Sequence, residues 1–175
     1  MAKKKKIITK NNNVKTNMND EIDEVRKSVK EHSGELAKLG SELSEIQFNY
    51  KVVNKTNAQY WQKRIEEFKR YHEHGMRYYK EVHTLMNIVG KDEAGLFLLS
   101  ISKLHQLGEK LQESLEGIKQ NPSIMSSKDK QQSKWSKDLR EQLIEQSNNI
   151  LSHEKNMNVS FREFYEKHLK KLLED

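Results

Sequence analysis

From Ile22 onward, apolar side chains return at alternating steps of three and four residues: Ile22, Val25, Val29, His32, Leu36, Leu39, Leu43, Ile46, Tyr50, Val53, Asn57 and Tyr60. Ten of these twelve positions are apolar or aromatic, which is the signature of a heptad seam. Ile22, Val29, Leu36, Leu43, Tyr50 and Asn57 take position a; Val25, His32, Leu39, Ile46, Val53 and Tyr60 take position d. Leu at a with Ile or Val at d argues against a simple parallel dimer. Asn57 is the polar exception at a, where it either fixes register or oligomer state or, if the seam has already shifted, faces solvent. Gly34 and Gly40 each weaken a helix by ~1 kcal/mol relative to Ala. Leu39-Gly40-Ser41 reads as a helix end before a new cap, and Ser44 with Gln47 has the spacing of a capping box. The expected arrangement is a short helix over 20–39 hinged to a long one ending near 89, with one continuous helix as the alternative.

Past Tyr60 the seam shifts by about one residue and continues through Trp61, Ile65, Phe68, Tyr71, Gly75, Tyr78, Val82, Leu85 and Val89. His72, Met76, Tyr79, His83 and Met86 form a second stripe beside it, so this stretch is expected to contact more than one helix. Gly75 is expected to let a neighbouring helix approach. Gly90 suits the left-handed residue after a helix end, and Asp92 with Glu93 suits the start of the next helix. That helix carries Phe97, Ile101, Leu104, Gly108, Leu111, Leu115 and Ile118. A loop containing Asn121 and Pro122 runs to about Ser133. A further helix shows Trp135, Leu139, Leu143 and Ile150; Ser160 with Glu163 reads as the capping box of a short last helix bearing Phe161, Phe164, Tyr165, His168, Leu169 and Leu172. The run AGLFLLSI, residues 94–101, is expected to be covered by that last helix rather than to form a membrane-inserting tip.

Composition supports long amphipathic helices: 34% hydrophobic against 33% charged residues, seven Gly, one Pro and no Cys among 175 residues. The absence of Cys excludes disulfides and thiolate chemistry. The net charge of +6 has one local source, because Lys3, Lys4, Lys5, Lys6, Lys10 and Lys15 precede any acid and the remaining 26 basic and 26 acidic residues cancel. A basic disordered tail over 1–19 is therefore expected, and its lysines are the candidate contacts for nucleic acid or an anionic surface. No stretch approaches the roughly 20 apolar residues of a membrane-spanning helix, which points to a soluble, cytoplasmic protein. Residues 20–47 carry eight acids and four bases, whereas 119–140 carry six bases and two acids, a contrast suited to steering association.

The densest chemistry is YHEHGMRYY, residues 71–79. His72 and His74 stand about 200° apart around a helix, so they cannot share one ion, and no His follows a Glu by three residues. No phosphate loop, nucleophile elbow or HExxH motif is present. No catalytic residue, metal site or cofactor is expected, and the stretch reads as a packing face.

The sequence thus predicts an all-α protein: an antiparallel helical bundle with an N-terminal heptad (coiled-coil) segment over 20–60, a helical hairpin and bundle over 61–175, and a short C-terminal capping helix. The expected role is non-catalytic interaction or assembly, through self-association or another protein, along the seam Ile22, Val25, Val29, Leu36, Leu39, Leu43, Ile46, Tyr50, Val53 and Asn57. Non-specific nucleic-acid binding through the tail is the alternative and membrane activity the third, with a membrane partner not expected.

Overall fold

A computed structural model describes residues 6–90, 92–126 and 130–174, with the side chains of 6–19, 130–133 and 135 outside that description. The chain is all-helical, with four long helices packed against one another. These are α1 (Lys6–Glu45), α2 (Ala58–Ile88), α3 (Glu93–Gln120) and α4 (Lys130–Phe164). A 3₁₀ turn (Pro122–Met125) follows α3; a π-helical turn (Tyr165–Leu169) leads from α4 into the short α5 (Lys170–Glu174). Helix α2 packs against both α1 and α3, α3 also packs against α4, and α1 touches α5. Among the described residues, α1 makes no backbone approach of similar extent to α4.

Two features of the first helix differ from expectation. Its backbone is helical from Lys6, so it takes in residues 6–19 of the expected tail; the tail lysine side chains lie outside the described residues. It also runs through Gly40 to Glu45, so the chain breaks at 46–57 rather than at residue 39. The cause lies in the asparagines, whose side chains compete for backbone donors. Asn49 Oδ1 accepts from Lys51 N at 2.9 Å, and Asn57 Oδ1 accepts from Gln59 N at 2.7 Å. Asn57 is thus the N-cap of α2 with extended backbone (φ −102°, ψ 120°) and is exposed, so it faces solvent, one of its two expected roles, and is not a seam residue. Ser44 makes no capping box; its hydroxyl donates to the Ser41 carbonyl at 2.7 Å near the end of α1.

The seam therefore divides. Val29, Leu36 and Leu39 are buried in the chain's own core, Val25 and Leu43 are half-buried, and Ile22 is 41% exposed. Ile46, Tyr50, Val53 and Asn57 belong to the non-helical strap, which lies across α2 through Phe48 and Tyr50, whose rings stand 5.2 and 6.5 Å from that of Phe68. Arg64 locks the strap by stacking its guanidinium 4.3 Å from the centre of the Phe48 ring and donating to the Asn49 carbonyl. Trp61 Nε1 donates to the Lys55 carbonyl at 2.8 Å. Between α1 and α2, His32 Nδ1 donates to Glu81 Oε1 at 2.6 Å.

The remaining elements follow their periodicity more closely. Gly90 has φ +64° at the turn into α3, and all seven stripe positions of α3 from Phe97 to Ile118 are buried. Asp92 sits at the N-cap but makes no side-chain cap bond. Helix α4 passes straight through Ser160, so the expected start of a last helix at Phe161 is absent and the irregularity is the π turn. Lys167 in that turn lies 3.0 Å from Glu93 Oε1 and His168 lies 3.5 Å from it. Glu93's backbone amide at the helix start, then Lys167, hold its carboxyl down to about 2. In AGLFLLSI only Ala94, Phe97 and Ile101 are buried, while Leu96, Leu98 and Leu99 are 67%, 48% and 67% exposed. Cover by the last helix is thus incomplete.

The close helix approach is at Gly108, not Gly75. A Cβ on Gly108 would overlap the His72 imidazole, which stacks between Phe68 and His105 at 5.5 and 6.3 Å. Around a Cβ on Gly75 nothing lies within 4 Å. Gly108→Ala should therefore destabilise by ~1–3 kcal/mol through overpacking, whereas Gly75→Ala should stabilise by up to ~1 kcal/mol through helix propensity. Urea unfolding of both variants checks the opposite signs. Asn57→Ala should cost ~1 kcal/mol in the same assay, because the first turn of α2 loses its cap.

Candidate functional site

The motif YHEHGMRYY is split by the fold. Its histidines diverge: His72 points to Gly108 on α3, its Nε2 buried without a hydrogen-bond partner, and His74 Nδ1 donates to its own helix at the Arg70 carbonyl, 2.8 Å away. Burial, then the neighbouring His105, pulls the His72 imidazole below its ordinary value. The tyrosines converge instead. Tyr71, Tyr78 and Tyr79 line one cleft of about 710 Å³ together with Gly40 and Leu43 of α1, Ile46 and Phe48 of the strap, and Glu154, Asn158 and Phe161 of α4. This cleft opens where α1 and α4 stand apart, so it is a direct consequence of the packing order.

At its floor Glu154 is only 9% exposed. Tyr71 donates its hydroxyl to Glu154 Oε2 at 3.1 Å, and Tyr79 donates to Asn158 Oδ1 at 3.2 Å. The Tyr50 hydroxyl is buried with no partner. Around them the rings of Tyr50 and Tyr71 meet edge-on at 6.2 Å, and those of Tyr78 and Tyr79 at 5.3 Å. Burial pushes the Glu154 carboxyl up to about 7, partly offset by the Tyr71 hydrogen bond. Burial, then the Glu154 charge, pushes the phenols of Tyr50, Tyr71 and Tyr79 up as well. Among the residues lining the cleft there is no Lys, Arg or His.

The helical spacing puts Tyr71 and Tyr78 in the buried stripe of α2 and Tyr79 in the stripe beside it, and does not show that all three line one cleft with Glu154. Glu154 itself was missed. Its signal is the register of α4: Leu143, Ser147, Ile150, Glu154 and Met157 repeat at steps of four and three, which carries an acid into the core face. Among the described residues no three His, Asp or Glu side chains come together as a metal site, and no helix is long and apolar enough to cross a membrane.

A carboxyl whose folded value of about 7 exceeds its ordinary 4.5 favours the folded state while protonated. Its contribution is full below about 4.5 and is lost as pH rises through about 7, a swing on the order of 3 kcal/mol. His72, lowered, acts in the opposite sense, so the informative quantity is the difference between wild type and Glu154→Gln. Glu154→Gln should be the more stable protein at pH 8, by up to about 3 kcal/mol, and nearly equal at pH 5. Urea unfolding at the two pH values checks this; a difference that does not change with pH counts against a titrating Glu154.

No protein-family model matches the chain, and neither a curated protein nor a solved structure does.

Proposed function

We propose that the chain is a non-catalytic assembly protein, an antiparallel helical bundle that pairs with a second copy of itself. The observation that carries this reading is the leucine pair at the start of α3, where Leu96 and Leu99, one turn apart, are each 67% exposed although α3 buries its whole core stripe. Clustered large apolar side chains at a protein surface are a common mark of an interface. A second copy suits the charge pattern as well, since the acidic stretch 20–47 and the basic stretch 119–140 belong to one chain and complement each other between copies. The N-terminal heptad segment contributes less than its regularity promised, because Val29, Leu36 and Leu39 already serve the chain's own core. Ile22 is the seam residue left most open to a partner.

Sedimentation equilibrium of the full chain and of the double variant Leu96→Glu, Leu99→Glu tests the proposal. The expected result is concentration-dependent dimerisation of the wild type, weakened at least ~10-fold in the variant, with the helical circular dichroism of both unchanged. A wild-type chain that stays monomeric at the highest soluble concentration overturns it.

A further inference from the structure

The tyrosine cleft has a wall chemistry that neither packing nor self-association requires. Its apolar lining includes the rings of Phe48, Tyr71, Tyr78, Tyr79 and Phe161, and its only carboxyl is Glu154. Within the protein, Glu154 Oε2 takes the Tyr71 hydroxyl while Oε1 has no hydrogen bond among the described residues. Lys155 and Arg162 of α4 line an adjoining cleft of about 560 Å³ that shares Glu154 and Asn158, and no basic side chain is among the groups that act on the Glu154 carboxyl. A buried acid with no cation beside it destabilises the fold, and replacement by an apolar residue is the ordinary solution. A cation from outside supplies what the chain lacks.

The kind of cation follows from the lining. Hard metal ions are held by several oxygens, carboxylates above all, and this cleft presents a single carboxyl, already engaged by Tyr71. A guanidinium is best held by both carboxylate oxygens at once, whereas Oε2 is already engaged by Tyr71. A weakly hydrated ammonium bearing alkyl groups needs one negative partner and the faces of aromatic rings, which attract cations through their quadrupoles. The size also agrees, since clefts of several hundred cubic ångströms are typical for small organic ligands. We infer that the cleft between α1, α2 and α4 is a binding site for an alkylated ammonium group, with Glu154 as its counter-charge and the half-buried rings of Tyr71 and Tyr78 as its walls.

The full-length protein is titrated with choline and, separately, with 3,3-dimethylbutanol, its uncharged isostere, following tyrosine ring resonances by NMR. Choline is expected to bind saturably, with the isostere at least ~10-fold weaker. Glu154→Gln should lose choline binding by a similar factor and leave the isostere unchanged, and Tyr78→Leu should weaken choline while circular dichroism confirms the fold. A peptide bearing trimethyllysine distinguishes the sources: tighter binding than choline assigns the group to a protein partner, weaker binding to a free small molecule, and both uphold the site. Equal binding of choline and its isostere, choline binding untouched by Glu154→Gln, or no shift up to ~50 mM choline overturns the inference.

Discussion

Helix α2 carries apolar side chains on two adjacent faces, and one neighbouring helix cannot cover both. Trp61, Ile65, Phe68, Val82 and Leu85 form one buried run, while Tyr79 and Met86 are buried beside it. Most of the architecture follows from satisfying these faces. Helix α3 returns through the tight turn at Gly90 and gives its complete stripe to the core. Helix α1 supplies Val29, Leu36 and Leu39 on another side of α2. A single rod from residue 20 to 89 would have left the face of α2 that α1 covers to partners outside the chain; the break at 46–57 lets α1 and α2 pack on each other instead.

How far this was legible depends on which physical rule governed each stretch. In α3, periodicity alone decides, and the stripe read from spacing is the stripe found buried, Gly108 included. At 46–57 two rules compete. The three-and-four spacing persists through Ile46, Tyr50, Val53 and Asn57, but Asn49 and Asn57 offer backbone donors local partners that a helix would deny them. Periodicity weighs Asn57 as a polar exception in a seam and not as a cap, and gives Asn49 no weight, so a strap reads as seam. The same oversight in the opposite direction occurred at Ser160, where a capping-box pattern was given weight inside a helix that has no reason to stop. The π turn that does interrupt it, at Tyr165–Leu169, has no comparable pattern in the sequence.

The tyrosine cluster shows why a site assembled from distant elements resists sequence reading. Tyr71, Tyr78 and Tyr79 are close in sequence, and their helical spacing correctly put them on inward faces. What they face is set by the approach of α4, some eighty positions later, and by the decision of the chain to leave α1 and α4 apart. Without that geometry, aromatic packing was the complete explanation of the motif. With it, the hydroxyls of Tyr71 and Tyr79 become donors to Glu154 and Asn158, and packing explains the rings but not the acid.

The buried face of α4 makes the same point from the other side. The buried polar residues described in the whole chain are Ser136, Ser147 and Glu154, and all three lie on this helix. Ser147 returns its hydroxyl to the Leu143 carbonyl at 2.7 Å, so its polarity is satisfied locally and its small volume leaves space beside Phe48 and Tyr50 of the strap. One heptad later a second small residue would have let α4 close the same way, and a leucine would have sealed the core. Glu154 does neither: it is long enough to reach the Tyr71 hydroxyl, and its charge has no cation to meet within the cleft. The gap between α1 and α4 therefore keeps a carboxyl at its floor where the surrounding register calls for an apolar side chain, which marks it as a place where packing was not the sole constraint on the sequence.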